Sequence, residues 1–369
     1  MESNRSSIDF FLGATTAQGF CGYFSQLGPG EALHLYLLKS GPGCGKSTLM
    51  RRLAAGAEGP VQQIHCCSDP HSLDGLIFPR QGAAILDATP PHALEPTAPG
   101  AAETVISLYD TLNPKILLPQ QALLLEKAAQ GKALRGQAAR YVGAAAGLLQ
   151  DNRRIAACCT DFAKLRRYVN GLADRLLPRS GTPGQEQVRL LSGVTPDGMV
   201  CFRDTVPALA NRFYVFHDRD GAAARLAMEL LRQAALDKGL LIVTCRCGLH
   251  PEEKIDHLLL PGLGLAFLTA NPWHPWQLPG QKNIHCSRFT DTAHLHRFRS
   301  RLHFNRKAAD ELLVQAIETM AQARVYHQAL EALYAPAIDF AAVDRATARC
   351  AALLGLTPPA PFAGGQTSL

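Results

Sequence analysis

The chain predicts an α/β protein of two tandem, homologous parallel-sheet domains, each followed by a helical region, over 369 residues. Three observations predict it. Short apolar runs alternate with helical patterns, which argues for strands joined by crossover helices. The pattern occurs twice in the same order. A glycine-rich turn joins the first strong strand to the first helix in a form that only one copy keeps.

The first copy covers 9–178. A short glycine-rich entry, Gly13-Ala14-Thr15 with Gly19-Phe20, is followed by a strand over 33–39 and a helix over 46–56. A second strand over 61–67, a short connector and a third strand over 83–87 come next, then a fourth over 104–108 and a helical region over 115–177. Pro178 to Gln185 has linker composition, giving a linker over 179–189. The second copy covers 190–357, with strands at 212–217, 240–245, 265–269 and 283–287, a helix over about 222–236 and a helical region over 290–355. The Pro/Gly-rich end, 358–369, reads as a disordered tail.

The duplication rests on ungapped matches. Pro79–His92 set against Pro261–His274 is identical at seven of fourteen positions: the outer prolines, the glycine, two alanines, the leucine and the histidine. Ser72–Phe78 pairs with Lys254–Leu260 immediately upstream, and Asp161-Phe162-Ala163 with Asp339-Phe340-Ala341 near the end.

The turn between the first strand and helix reads Ser40-Gly41-Pro42-Gly43-Cys44-Gly45-Lys46-Ser47-Thr48. A strand, a glycine-rich loop and Gly-Lys-Ser-Thr opening a helix is the P-loop arrangement. Glycines let backbone N–H groups close around phosphate oxygens, and the helix directs the positive end of its dipole at the anion. Gly41 to Thr48 are therefore the candidate nucleotide-binding residues. Lys46 is assigned to the β- and γ-phosphates and Ser47 to Mg²⁺. Ser40 stands where the usual pattern has glycine.

The second copy lacks these groups. With Gly43 on Gly221, Lys46 falls on Ala224 and Ser47 on Arg225, and the loop carries Asp218 and Asp220. The third strand of the first copy ends in Asp87, the position of the carboxylate that supports Mg²⁺ beside a P-loop, and its counterpart is Thr269. Joint loss of lysine, hydroxyl and carboxylate fits one Mg-nucleotide site, so Asp87 joins Ser47 as a metal residue and Lys46 as a catalytic one. Asp69, after the second strand, is a third catalytic candidate, as an acceptor base. Asp74 and His92 persist as Asp256 and His274 where the nucleotide groups have gone, which assigns them to structure. Arg219 and Arg225 read as surface arginines.

Other features exclude classes. The charge of +6 is mild and disfavours nucleic acid. The basic stretch His294–Lys307 has Leu295, Phe298 and Leu302 at helical spacing and reads as an amphipathic helix with a solvated basic face. The eleven cysteines, an odd number, lack paired Cys-x-x-Cys spacing, so neither His65-Cys66-Cys67 with His71 nor Cys245-Arg246-Cys247 with His250 is a structural zinc site. No apolar run reaches membrane-spanning length, and Met1–Ser7 lacks a secretory signal, so a cytoplasmic, membrane-free protein is expected.

The entry segment, the Gly41–Thr48 loop, the block His65–Asp69 through Leu73-Asp74-Gly75 to Pro79, and Pro90-Pro91-His92 together resemble a poorly characterised bacterial group of tandem P-loop proteins labelled ATPase or nucleotide kinase. The resemblance covers nearly the whole chain. It implies two P-loop domains and ATP as the nucleotide, with no substrate specified. The chain departs from that group in its second loop. An ATPase using Mg²⁺ and driving a conformational change is the first expectation. A small-molecule or nucleotide kinase, and a nucleotide-gated scaffold whose long helices engage a protein partner, are the others.

Overall fold

The computed structural model describes residues 7–357, so the expected tail lies outside the described residues. In the first half the order is β1 (Ile8–Phe11), β2 (Gly13–Thr16), β3 (Gly19–Gly22), α1 (Gly28–Glu31), β4 (His34–Lys39), α2 (Lys46–Ala55), β5 (Gln62–Cys66), β6 (Asp69–Phe78), β7 (Ala83–Asp87), β8 (Glu103–Ser107), α3 (Pro114–Leu117), α4 (Gln121–Cys158) and α5 (Phe162–Leu176). The second half repeats it: β9 (Gln185–Arg189), β10 (Ser192–Thr195), β11 (Gly198–Cys201), α6 (Thr205–Leu209), β12 (Arg212–His217), α7 (Ala222–Asp237), β13 (Leu241–Arg246), β14 (Ile255–Leu260), β15 (Leu265–Ala270), β16 (Lys282–His285), α8 (Thr292–His296), α9 (Arg299–Tyr334) and α10 (Phe340–Leu353).

Each half contains a six-stranded sheet, ordered β1-β5-β6-β7-β4-β8 and, identically, β9-β13-β14-β15-β12-β16. The sheets are mixed, which corrects the expectation of parallel ones. β6 runs antiparallel to both β5 and β7, and β14 antiparallel to both β13 and β15, while the remaining pairings are parallel. The stretches taken as connectors are these antiparallel strands. Leu73–Phe78 and Ile255–Leu260 are buried throughout, so they show no alternation to mark them as strands. The glycine-rich entries contribute an edge strand and a small hairpin, β2–β3 and β10–β11.

The two sheets pack face to face. Along β4, Leu35 and Leu37 enter a core shared with Val215, Val243, Leu259 and Leu268 of the second sheet, whereas Leu38 faces α2 and α10. β12 alternates likewise, with Phe213 and Val215 in the shared core and Tyr214 and Phe216 against α5 and α7. Period-two alternation thus builds four layers: helices, sheet, sheet, helices. Each fully buried Phe or Leu of the shared core contributes about 1.5–3 kcal/mol.

The helical regions are exchanged between halves. α5 packs on α7, and α10 packs on α2. The crossing is pinned by backbone pairs: Asp161 N–H donates to Phe289 O (2.7 Å), Asp291 N–H to Cys159 O (2.7 Å) and Asp339 N–H to Thr111 O (2.8 Å). The repeated Asp161 and Asp339 are helix N-caps, whose carboxylates accept from Lys164 N (2.9 Å) and Ala342 N (3.1 Å). α4 and α9 lie antiparallel along an alanine-rich seam, with Asn305 Nδ2 donating to Asn152 Oδ1 at 2.9 Å and Asn152 Nδ2 to Leu302 O at 3.1 Å. No helix among the described residues is long and apolar enough to cross a membrane.

One buried ion pair also joins the halves. Arg189, fully buried in β9, grips Glu31 of α1 through two hydrogen bonds of 2.6 and 2.8 Å and donates to Gln62 of β5 at 3.1 Å. Glu31→Ala leaves the guanidinium buried without its counter-charge and is expected to lower stability by about 3–5 kcal/mol, measured by urea unfolding.

Candidate functional site

In each sheet the strand next to one edge, β4 or β12, leads at its carboxyl end into a loop that opens a helix. β4 delivers Ser40, and the loop turns through Gly43 (φ +68°) and Gly45 (φ +77°) into α2. These left-handed dihedrals favour glycine. Packing adds a second constraint at Gly43, because a Cβ there would lie 3.3 Å from the Cα of Glu331 on α9. Tyr334 stands against Gly41 and Val343 of α10 against Gly45. The exchanged helices of the second half therefore form the outer wall of the first half's loop. Among the described residues, no backbone acceptor meets the N–H groups of Gly43 and Gly45.

Lys46 reaches back over its own loop. Its Nζ donates to Gly41 O at 3.2 Å and lies 3.4 Å from Asp87 Oδ2 at the end of the adjacent strand β7. Ser47 Oγ accepts from Leu73 N–H at 3.1 Å, tying α2 to β6. Thr89 fixes Asp87 by donating its N–H (3.0 Å) and hydroxyl (2.6 Å) to Oδ1. Oδ2 is left facing Lys46 and, at 3.9 Å, His92 Nε2. The Lys46–Asp87 proximity follows from β4 and β7 being neighbours in register, Leu38 opposite Asp87.

Asp74 and His92 belong to the same cluster, a grouping that sequence comparison missed by assigning both to structure alone. Asp74, His92 and Asp87 each offer a ligand atom, all within 4.8 Å of one another, and all three residues are buried. Burial pushes the Asp74 carboxyl up to about 6, with His92 opposing the shift. Burial also works against charge on Asp87, but His92, Lys46 and Thr89 outweigh it and hold this carboxyl below its usual range. Burial disfavours the His92 cation, yet Asp87 and Asp74 raise it. The signal available in sequence was the strand β6 itself: recognised as the neighbour of β7, it would have put Asp74 beside Asp87.

Asp69 takes a different set of contacts. At the start of β6 it accepts from Ser72 Oγ (2.6 Å) and faces Arg324 of α9 at 3.8 Å, which in turn holds Asp197 of the second half at 2.8 Å. Neither of these contacts involves Lys46, Asp87 or His92. His65 spends both ring nitrogens on Asp9 (2.9 Å) and Pro70 O (2.7 Å), and His250 Nε2 lies 2.9 Å from Ala146 O. All eleven cysteines are free thiols.

The second loop has the same frame with different chemistry. Gly221 keeps the left-handed turn (φ +77°) into α7. Asp218, which replaces Ser40, folds its carboxylate over the helix start, accepting from Gly221 N–H (2.9 Å) and Ala224 N–H (2.8 Å). The helix start is thus capped by a carboxylate of the chain itself. Lys254, at the position of Ser72, places its Nζ 2.7 Å from Asp256 Oδ1, and the counterpart of Asp87 is the uncharged Thr269. A cleft of about 410 Å³ lies over this loop, bounded by α4, α9 and the Asn271–His274 turn. His303, Arg306 and Lys307 line it, so part of the basic stretch faces a cleft, with Arg306 paired to Asp220 at 2.8 Å. Arg219 lines the same cleft, and Arg225 donates to Glu253 O at 3.0 Å.

Burial, then the neighbouring His274, lowers the pKa of His257, and burial likewise lowers that of His274. Both pKa values lie below those of the unfolded chain, which therefore takes up more protons below about pH 6.5, and stability is lost as pH falls through that range. Urea unfolding is expected to show up to about 2 kcal/mol less stability at pH 5 than at pH 7 from His257, with His257→Gln removing that share.

No family model, curated protein or solved structure matches this chain.

Proposed function

We propose that the first half binds Mg-ATP at Gly41–Thr48 and hydrolyses it, and that the exchanged helices carry the change to the second half. One contrast supports this most. Two loops of the same frame differ in what meets the amides at the helix start: Asp218 in the second, and no backbone acceptor among the described residues at Gly43 and Gly45 in the first. A loop built with unmet amides beside a lysine suits an external anion.

In this reading the amides of Gly43 to Lys46 bind the β-phosphate, and the Lys46 ammonium leaves Gly41 O to bridge the β- and γ-oxygens. Ser47 Oγ and the Asp87 carboxylate are hard oxygen donors at the helix start and the neighbouring strand end, a set that fits Mg²⁺. The ion, when bound, supplies neutralisation of the phosphate charge. Thr89 keeps Asp87 turned towards the phosphates. Glu331 and Tyr334 of α9 touch the loop directly, so a loop that tightens around phosphate moves α9 and with it the α4–α9 seam. The kinase alternative would rest on Asp69, which accepts from Ser72 and lies 3.8 Å from Arg324.

Two substitutions test this. Lys46→Ala is expected to weaken ATP binding about 10- to 100-fold and to abolish phosphate release. Ser40→Asp copies the self-capping carboxylate of the second loop into the first and is expected to block ATP binding with the fold intact, read by isothermal titration and circular dichroism. Unchanged ATP affinity in either variant contradicts the assignment.

A further inference from the structure

The cluster of Asp74, Asp87 and His92 goes beyond what a nucleotide-bound magnesium needs. We propose that these three residues form a direct site for a divalent first-row transition ion, held by the chain in the absence of ATP.

The geometry carries the first part. His92 Nε2 lies 3.9 Å from Asp74 Oδ1 and 3.9 Å from Asp87 Oδ2. That is too far for a hydrogen bond, and neither ring nitrogen of His92 has a hydrogen-bonding partner among the described residues although the residue is only 8% exposed. A buried imidazole without such a partner is costly. Two donors bound to one ion at about 2.1 Å can stand as much as about 4.2 Å apart, so these separations fit a shared ion. Phe24 stacks on the imidazole at 4.8 Å between ring centroids and holds its plane, while Thr89 holds Asp87.

The second half supplies an independent comparison. It keeps the aspartate and the histidine as Asp256 and His274 and lacks the second carboxylate, having Thr269. There Lys254 inserts a fixed ammonium 2.7 Å from Asp256 Oδ1. The first half has Ser72 at that position, and no lysine or arginine pairs with Asp74 among the described residues. One copy thus carries a built-in cation. The other carries an extra carboxylate and no lysine or arginine on Asp74, the arrangement expected if the fixed charge is replaced by an exchangeable ion. Two carboxylates with one imidazole favour Mn²⁺ or Fe²⁺ over Mg²⁺, which prefers oxygen donors alone. Lys46, 3.4 Å from Asp87, is the competing cation and is drawn away when phosphate binds.

Manganese is the probe. The full chain, stripped with chelator and free of nucleotide, is dialysed against Mn²⁺ and examined by pulsed electron paramagnetic resonance. One ion per chain with ¹⁴N coupling from a directly bound imidazole is expected. His92→Gln should abolish that coupling. Ser72→Lys, which adds the second half's ammonium and removes no packing group, should lower Mn²⁺ affinity at least about tenfold and decides the matter should His92→Gln fail to fold. Lys46→Met should bind Mn²⁺ more tightly while losing ATP. The proposal is overturned by absence of bound Mn²⁺ without nucleotide, by bound Mn²⁺ lacking nitrogen coupling, by unchanged affinity in Ser72→Lys, or by joint loss of Mn²⁺ and ATP in Lys46→Met. Wild-type ATP affinity is read separately, so failure of the ion site leaves the nucleotide assignment standing.

Discussion

Everything in this molecule depends on the burial of two sheet faces against each other. A six-stranded sheet with one crossover helix covers only one of its faces, and the other must be kept from water. Here each half uses its twin: Leu35 and Leu37 of β4 meet the core that Val215, Leu259 and Leu268 build from the other side. Neither half retains a covered inner face alone. The same constraint explains the fully buried Arg189–Glu31 pair, which lies where the halves meet and holds them in one register.

Exchange of the helices follows the same logic on the outer faces. α10 closes over α2 and α5 over α7, so each loop-bearing helix is covered by the end of the other half's arm. The first loop is consequently wedged between its own strand and a foreign helix, with Glu331 and Tyr334 close enough that a side chain at Gly43 or Gly41 would crowd them. Glycine here serves two demands at once, the left-handed turn and the close approach of α9. Divergence then needed few changes. A carboxylate at 218 in place of Ser40 caps the second helix from within the chain, and a lysine at 254 in place of Ser72 pairs with Asp256.

Much of this was legible in the sequence because duplication doubles every signal. The α/β class, the two halves, the loop and the loss of its functional groups in the second copy were all available from aligned residues. The sheet order was not. Leu73–Phe78 is buried on both faces, so it carries no period-two signature, and reading it as a connector hid an antiparallel strand. That omission also separated Asp74 from Asp87, which only the β6–β7 pairing brings together. The face-to-face packing and the exchange of helices were equally hidden, since an apolar face shows that something covers it without showing what.

Hydrogen exchange of the loop amides, with and without Mg-ATP, tests the central claim most directly, because it reads the groups assigned to the phosphates. Strong slowing at residues 43–49 on addition of Mg-ATP, with no change at 218–225, is the expected result. Slowing at 218–225 instead, or no slowing in either loop at saturating ATP, would contradict it.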